Sequence, residues 1–225
     1  MNLVLPRLYA IIDSTLATTS EPALANELAE SGVKLIQYRN KNASSRQLFE
    51  ICRQLCSALV PCGVRFIVND RPDVATLIGA GGVHLGQDDL GAEEARAICG
   101  QQCWVGVSTH TLDQVKAADA TSADYIAFGP IFPTTTKQNP DAVVGTDLLR
   151  KVRRITAKPL VAIGGITLER AAEVYAAGAD SLAVIRDLIC AASPGARAQQ
   201  YLEVAASTMS REAGLGAGST WNPPG

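Results

Sequence analysis

Three adjacent hydroxyl residues, Thr134, Thr135 and Thr136, run into Lys137 just after the apolar stretch Tyr125–Phe128. Gly129 and Pro130 close that stretch, because glycine permits unusual dihedrals and proline removes a ladder donor. Hydroxyls, backbone N–H groups and one ammonium together suit the oxygens of a phosphate or pyrophosphate. The competing reading is a polar loop whose threonines only satisfy their own backbone. What accompanies the loop decides between them.

Further polar residues fall at the ends of other apolar runs. Gln37, Arg39 and Lys41 follow one, and Asn69, Asp70 and Arg71 follow the next. Gln87, Asp88 and Asp89 follow a third, Ser108 and His110 a fourth, and the pairs Gly164–Gly165 and Ile185–Arg186 close the last two. Arg39, Lys41 and Lys137 supply positive charge for an anion. Asp70 and Asp89 are hard oxygen ligands, and beside a pyrophosphate they call for Mg²⁺, which keeps several waters and needs few carboxylates. Helix N-capping is the alternative for the acids. It suits Asp88; at Asp70 the nearby Pro72 already favours helix initiation. His84, inside Val83–Leu85, reads as a satisfied core histidine, and His110 has no partner carboxylate evident in sequence.

The elements that must hold these groups alternate strictly. Strands are expected at Leu8–Ile12, Val33–Tyr38, Arg65–Val68, Gly82–Leu85, Trp104–Val107, Tyr125–Phe128, Leu160–Ile163 and Ser181–Ile185. Amphipathic helices fall between them, with Pro22 at the start and Gly32 at the end of the first, and Ser44 or Ser45 capping the second. Nearly continuous apolar strands fit a parallel sheet buried on both faces. The pattern predicts an α/β fold, a single (β/α)8 TIM barrel over residues 1–210, with a doubly wound sheet as runner-up. A flexible tail is expected over 211–225, since the stretch from Gly214 is rich in Gly, Pro and Ser.

Composition sets the limits. In 225 residues the net charge is −2, with no basic stripe, which argues against nucleic acid as a partner. No apolar run approaches the ~20 residues of a membrane span, and the N-terminus does not read as a secretory leader, so the expected location is cytoplasmic. The six cysteines form no C-x-x-C pair and are expected as free thiols. A homo-oligomer stays open.

The motifs QYRNK (Gln37–Lys41), VNDRPDVA (Val68–Ala75), GVHLGQDD (Gly82–Asp89), GVSTH (Gly106–His110), GPIFPTTTK (Gly129–Lys137) and AIGGI (Ala162–Ile166) resemble the thiamine-phosphate synthase family. The resemblance runs from about Leu8 to Ile189 and is most specific in GPIFPTTTK and NDR. It implies a (β/α)8 barrel, a transferase that joins 4-amino-2-methyl-5-hydroxymethylpyrimidine diphosphate to a methylthiazole phosphate or its carboxylated precursor, and release of pyrophosphate through a pyrimidine-stabilised carbocation. By the same resemblance, Gln37, Arg39, Lys41, Asn69, Ser108 and Lys137 hold the pyrimidine diphosphate. Lys137, Arg39, Lys41 and Ser108 assist catalysis, and Asp70 and Asp89 bind Mg²⁺. Thr134, Thr136, Gly165, Ile185 and Arg186 hold the thiazole phosphate. Arg186 is a departure, since many relatives carry Ser there. The rival readings are a thiazole tautomerase of the same fold and a barrel that binds thiamine phosphates without turnover.

Overall fold

The computed structural model describes residues 3–134 and 141–216, with side chains as far as Ser210. Eight parallel strands close into a barrel in sequence order. They are β1 (Leu8–Asp13), β2 (Leu35–Arg39), β3 (Arg65–Asn69), β4 (Gly82–Leu85), β5 (Trp104–Thr109), β6 (Tyr125–Phe128), β7 (Leu160–Ile163) and β8 (Ser181–Val184). Between them lie α1 (Glu21–Glu30), α2 (Ser45–Leu59), α3 (Pro72–Ile78), α4 (Ala92–Cys99), α5 (Leu112–Asp119), α6 (Gly145–Arg153) and α7 (Leu168–Ala176), followed by α8 (Arg186–Ile189) and α9 (Pro194–Gly216). The expected TIM barrel is therefore present.

Two apolar layers result from strands buried on both faces. Leu5, Tyr9, Ile11, Leu35, Ile67, Tyr125, Ala127, Val161 and Ala183 fill the barrel. A larger cluster, including Ile12, Leu28, Phe66, Leu55, Val105, Phe128 and Val174, seals strands against helices. Burying side chains of this size contributes roughly 1.5–3 kcal/mol each. Local signals set the helix starts. Ser44 and Gln47 form a reciprocal capping box on α2, and Thr111 and Gln114 form another on α5.

Several boundaries differ from the sequence reading, most by one or two residues. Strand β5 runs on to Thr109, because Ser108 and Thr109 pair with Ala127 and Phe128 and the Thr109 hydroxyl donates to the Ala127 carbonyl. Ser108 therefore sits on a strand, where its direction is fixed. After β8 the chain forms the short α8 and then the long α9, which packs on α1 and α7. That long helix continues through Gly214 to Gly216, and residues 217–225 lie outside the described part. Among the described residues no helix is long and apolar enough to cross a membrane.

At the end where the strands begin, two arginines repeat one arrangement. Arg96 on α4 pairs with Asp124 (2.5 Å) and donates to the carbonyls of Gly100, Cys103 and Ser122. Arg153 on α6 pairs with Asp180 (2.7 Å) and donates to the carbonyls of Thr156 and Lys158. Each aspartate also accepts from the first amides of a neighbouring strand, Asp124 from Val105 and Asp180 from Leu160.

Candidate active site

A pocket opens where the strands finish, as expected for this fold. Gln37, Arg39, Lys41, Asn69, Asp70, Asp89, Ser108, Thr134 and Ile185 all line it, together with Tyr9, His84, His110 and Asp141. Parallel pairing does this gathering, because each strand delivers its last residues to the same mouth.

The charges meet in pairs. Arg39 at the end of β2 forms a salt bridge with Asp13 at the end of β1, and the two residues are register partners. Asp13 is fully buried and also accepts from the Thr15 amide (3.0 Å) and hydroxyl (2.6 Å). Sequence reasoning missed Asp13 by ending β1 at Ile12. The usable signal was a carboxylate directly after an apolar strand, at the same position that marks Asn69–Asp70. Lys41 lies 2.5 Å from Asp70.

Asp70 has a left-handed backbone, φ 63°, a region where aspartate is tolerated better than most residues. Its amide donates to the His84 carbonyl (2.8 Å), which fixes the turn out of β3. Burial raises the Asp70 pKa, a hydrogen bond with Asp89 raises it further, and Lys41 opposes both. Asp89 in turn accepts from the Gly86 amide (2.7 Å). Two carboxylates crowded at one wall are what a divalent cation would relieve, so the residues fit Mg²⁺. Among the described residues no group of three or more His, Cys, Asp or Glu could hold a metal, so the other ligands would be water and substrate oxygens.

Helix capping explains neither acid. The N-cap of α3 is Arg71 and that of α4 is Gly91, both without a side-chain cap bond. Asp88, expected as a cap, is exposed, because the loop continues three residues further before α4 starts. Arg71 turns away from the pocket to Asp73 and Ser45.

Both histidines are engaged. His84 is buried, with Nδ1 3.1 Å from the Tyr125 hydroxyl and Nε2 2.9 Å from Ser108 Oγ, as a satisfied interior histidine should be. His110 does have a partner carboxylate. Its Nε2 lies 3.4 Å from Asp141 and its Nδ1 donates to the Gly129 carbonyl (2.6 Å). Asp141 is distant in sequence and reaches His110 through the chain returning to α6.

The segment after β6 docks on the end of β7. Ile131 donates to the Ile163 carbonyl and Phe132 to that of Gly164, while Arg170 stacks on the Phe132 ring at 4.3 Å. Gly165 (φ 62°) must be glycine, since a Cβ there would stand 2.4 Å from the Pro133 carbonyl. This docking carries Thr134 to the pocket. Thr135, Thr136 and Lys137 lie outside the described residues. Gly165 and Arg186 flank the pocket without lining it; Arg186 is exposed and begins the four-residue α8.

The family model described as thiamine monophosphate synthase matches residues 8–188. The chain belongs to that family. It is 50% identical over 209 residues to the thiamine-phosphate synthase of Koribacter versatilis, covering 90% of this chain and 97% of the relative. The thiamine-phosphate synthase of Methanospirillum hungatei is 40% identical over 198 residues, covering 88% and 96%. Among solved structures, thiamine phosphate pyrophosphorylase from Pyrococcus furiosus superposes with a TM-score of 0.83 at 33% identity, covering 90% of this chain and 96% of that one. The chain is accordingly an enzyme of the transferase class, and membership in the thiamine monophosphate synthase family spans every described pocket residue.

Proposed function

We propose that the enzyme condenses 4-amino-2-methyl-5-hydroxymethylpyrimidine diphosphate with 4-methyl-5-(2-phosphoethyl)thiazole, or its carboxylated precursor, to give thiamine phosphate and pyrophosphate. The observation that carries this reading is one pocket holding the Asp70–Asp89 pair beside Arg39, Lys41, Gln37, Asn69 and Ser108. A diphosphate with an aminopyrimidine head needs cations at one end and amide or hydroxyl partners at the other, and this wall provides both.

Asp70 and Asp89 would hold Mg²⁺, which when bound supplies positive charge to the diphosphate oxygens. Arg39, Lys41 and Lys137 stabilise the leaving pyrophosphate as the pyrimidine methylene carbon loses it, and the thiazole nitrogen then forms the new bond to that carbon. Lys41 must exchange its contact with Asp70 for one with the diphosphate. Thr134, Thr136, Gly165, Ile185 and the backbone at Arg186 hold the thiazole phosphate, and of these Thr134 and Ile185 line the pocket. Orientation and charge stabilisation account for the rate, and no general base is required.

An assay with both substrates and Mg²⁺ tests the proposal. Stoichiometric thiamine phosphate and pyrophosphate, lost on chelation of the metal, are the expected products. Isomerisation of the thiazole alone would establish the tautomerase reading, and tight binding without product would establish a carrier.

A further inference from the structure

Five side chains form one hydrogen-bonded chain through the middle of the barrel. Gln37 Nε2 donates to the Tyr9 hydroxyl (2.7 Å), which lies 3.0 Å from the Tyr125 hydroxyl. Tyr125 continues to His84 Nδ1 (3.1 Å), and His84 Nε2 reaches Ser108 Oγ (2.9 Å). The chain thus joins two pocket residues, Gln37 and Ser108, through the barrel interior, with Tyr9 and His84 also bordering the pocket. Tyr9 is 1% exposed and Tyr125 0%. Gly106 makes room for it, since a Cβ there would lie 2.0 Å from Tyr125 Cζ.

Counting hydrogens fixes the polarity. With the Gln37 amide placed as found, the chain has four links and five hydrogens able to fill them: one amide, two phenolic, one imidazole and one from serine. One hydrogen is left over. On Tyr125, fully buried, or on Tyr9, 1% exposed although it borders the pocket, it would be an orphan donor, which folded proteins avoid. On Ser108 it faces the pocket. A doubly protonated His84 would likewise leave an orphan phenolic hydrogen. Burial raises the pKa of both phenols, so neither is lost as a donor. Among these five side chains, the arrangement that keeps the spare hydrogen out of the core runs from Gln37 to Tyr9 to Tyr125 to His84 Nδ1, with His84 Nε2–H donating to Ser108. Turning the Gln37 amide over would reverse every link and consume the serine hydrogen.

We propose that this relay makes Tyr9, Tyr125 and His84 positioning residues, which couple the orientation of the Gln37 amide to the polarity of the Ser108 hydroxyl. In the arrangement found, Gln37 keeps its amide oxygen for an amino group and Ser108 keeps its hydrogen for an anion. An aminopyrimidine diphosphate offers that donor and that acceptor. The reversed chain would point a serine lone pair at the anion and an amide N–H at the amine. The inference rests on the substrate assigned under Proposed function, and its test separates the two.

Nitrogen NMR of the full-length enzyme labelled with ¹⁵N-histidine, recorded at about pH 8 where an ordinary imidazole is neutral, reads the relay directly. His84 is expected with hydrogen on Nε2 and a bare Nδ1. His110, whose Nδ1 donates to a carbonyl, carries hydrogen on Nδ1, and a His110→Gln sample assigns the pair. In Tyr125→Phe the His84 signals should shift to a tautomer mixture. The KM for the pyrimidine diphosphate should rise about tenfold, for one misdirected hydrogen bond, while that for the thiazole phosphate stays within about twofold. Tyr9→Phe should act in the same direction. Hydrogen on Nδ1 of His84 overturns the proposal, and so does an unchanged pyrimidine KM in both folded variants. If the wild-type enzyme turns over neither substrate, the assigned reaction fails, and the nitrogen spectrum, which needs no turnover, still judges the relay.

Discussion

The two ends of the barrel handle charge in opposite ways. Where the strands begin, Arg96 and Arg153 spend their guanidinium donors on one carboxylate each and on loop carbonyls. These contacts run from protein to protein and tie helix to strand. Where the strands finish, Arg39 and Lys41 make one ion pair each among the described residues, and Asp70 is crowded by Asp89. At the first end the Arg96 and Arg153 contacts join one part of the protein to another. Those at the second can be exchanged for substrate or metal. Stability and function have been assigned to opposite rims of one sheet.

The sharpest way to break this comparison is Asp70→Asn combined with Asp89→Asn. Turnover is expected to fall by at least ~10³-fold, the scale of a lost transition-state charge contact, while the Tm holds or rises. The sign follows from Asp70, whose pKa is raised in the folded protein by burial first and Asp89 second. A raised acid favours folding below its unfolded pKa and loses that contribution as pH rises through its folded pKa. At neutral pH the charged form is therefore a burden that asparagine removes. The Tm gain should shrink as pH falls through the raised Asp70 pKa, which melting curves across pH can follow. Near-normal activity at limiting Mg²⁺ would sink the metal assignment.

Arg96→Ala should give the mirror image. A half-buried Asp124 and three carbonyls lose their donor, at a cost of about 3 kcal/mol. Melting should show that loss, and the specific activity of the folded fraction should be unchanged. A fall in kcat would mean the two rims are not independent.

Asp13→Asn probes a residue shared by both behaviours, since it is fully buried, pairs with an arginine as Asp124 does, and yet that arginine lines the pocket. Asparagine keeps an acceptor for Thr15 but frees Arg39 to move. The KM for the pyrimidine diphosphate should rise about tenfold, roughly 1.4 kcal/mol, with a modest drop in Tm. Kinetics and melting of one preparation would show whether the two effects appear together.

Arg186→Ser carries the smallest effect. The side chain is exposed and does not line the pocket, so a screened contact changes the thiazole-phosphate KM by less than about threefold. A larger change in a steady-state titration would show that the guanidinium, and not only the backbone, holds the phosphate.

The barrel was legible because its signals are local and repeated. Apolar runs of strand length, Pro22 and Gly32 around α1 and the Ser44 cap on α2 each point to the same answer. The pocket residues were legible where they extend a strand end, as at Gln37–Lys41 and Asn69–Asp70. What escaped depends on registration between distant segments. Asp13 acquires its role only when β1 and β2 align, and Asp141 only when the chain before α6 returns to His110. Tyr9 and Tyr125 fall inside expected strands and are buried; their hydroxyls meet because strands 116 residues apart face one another across the barrel. Periodicity shows which face a side chain takes, and not what it will find there.

The strand that seals the barrel is also the last one synthesised. β8 pairs with β1 at Leu8–Leu182, Tyr9–Ala183 and Ala10–Val184, and the Ser181 hydroxyl donates to the Pro6 carbonyl across 175 residues. On the ribosome, β1 therefore presents an open edge while nearly all of the chain is still being made. The seam closes only after β8 emerges, and α9 then lies over it against α1 and α7. A nascent chain arrested before Ser181 holds seven strands' worth of sequence and no closed sheet, so the closing step is long-range and slow by the measure of contact order. The same geometry that brings the described pocket residues to one rim leaves the growing polypeptide exposed until β8 has emerged.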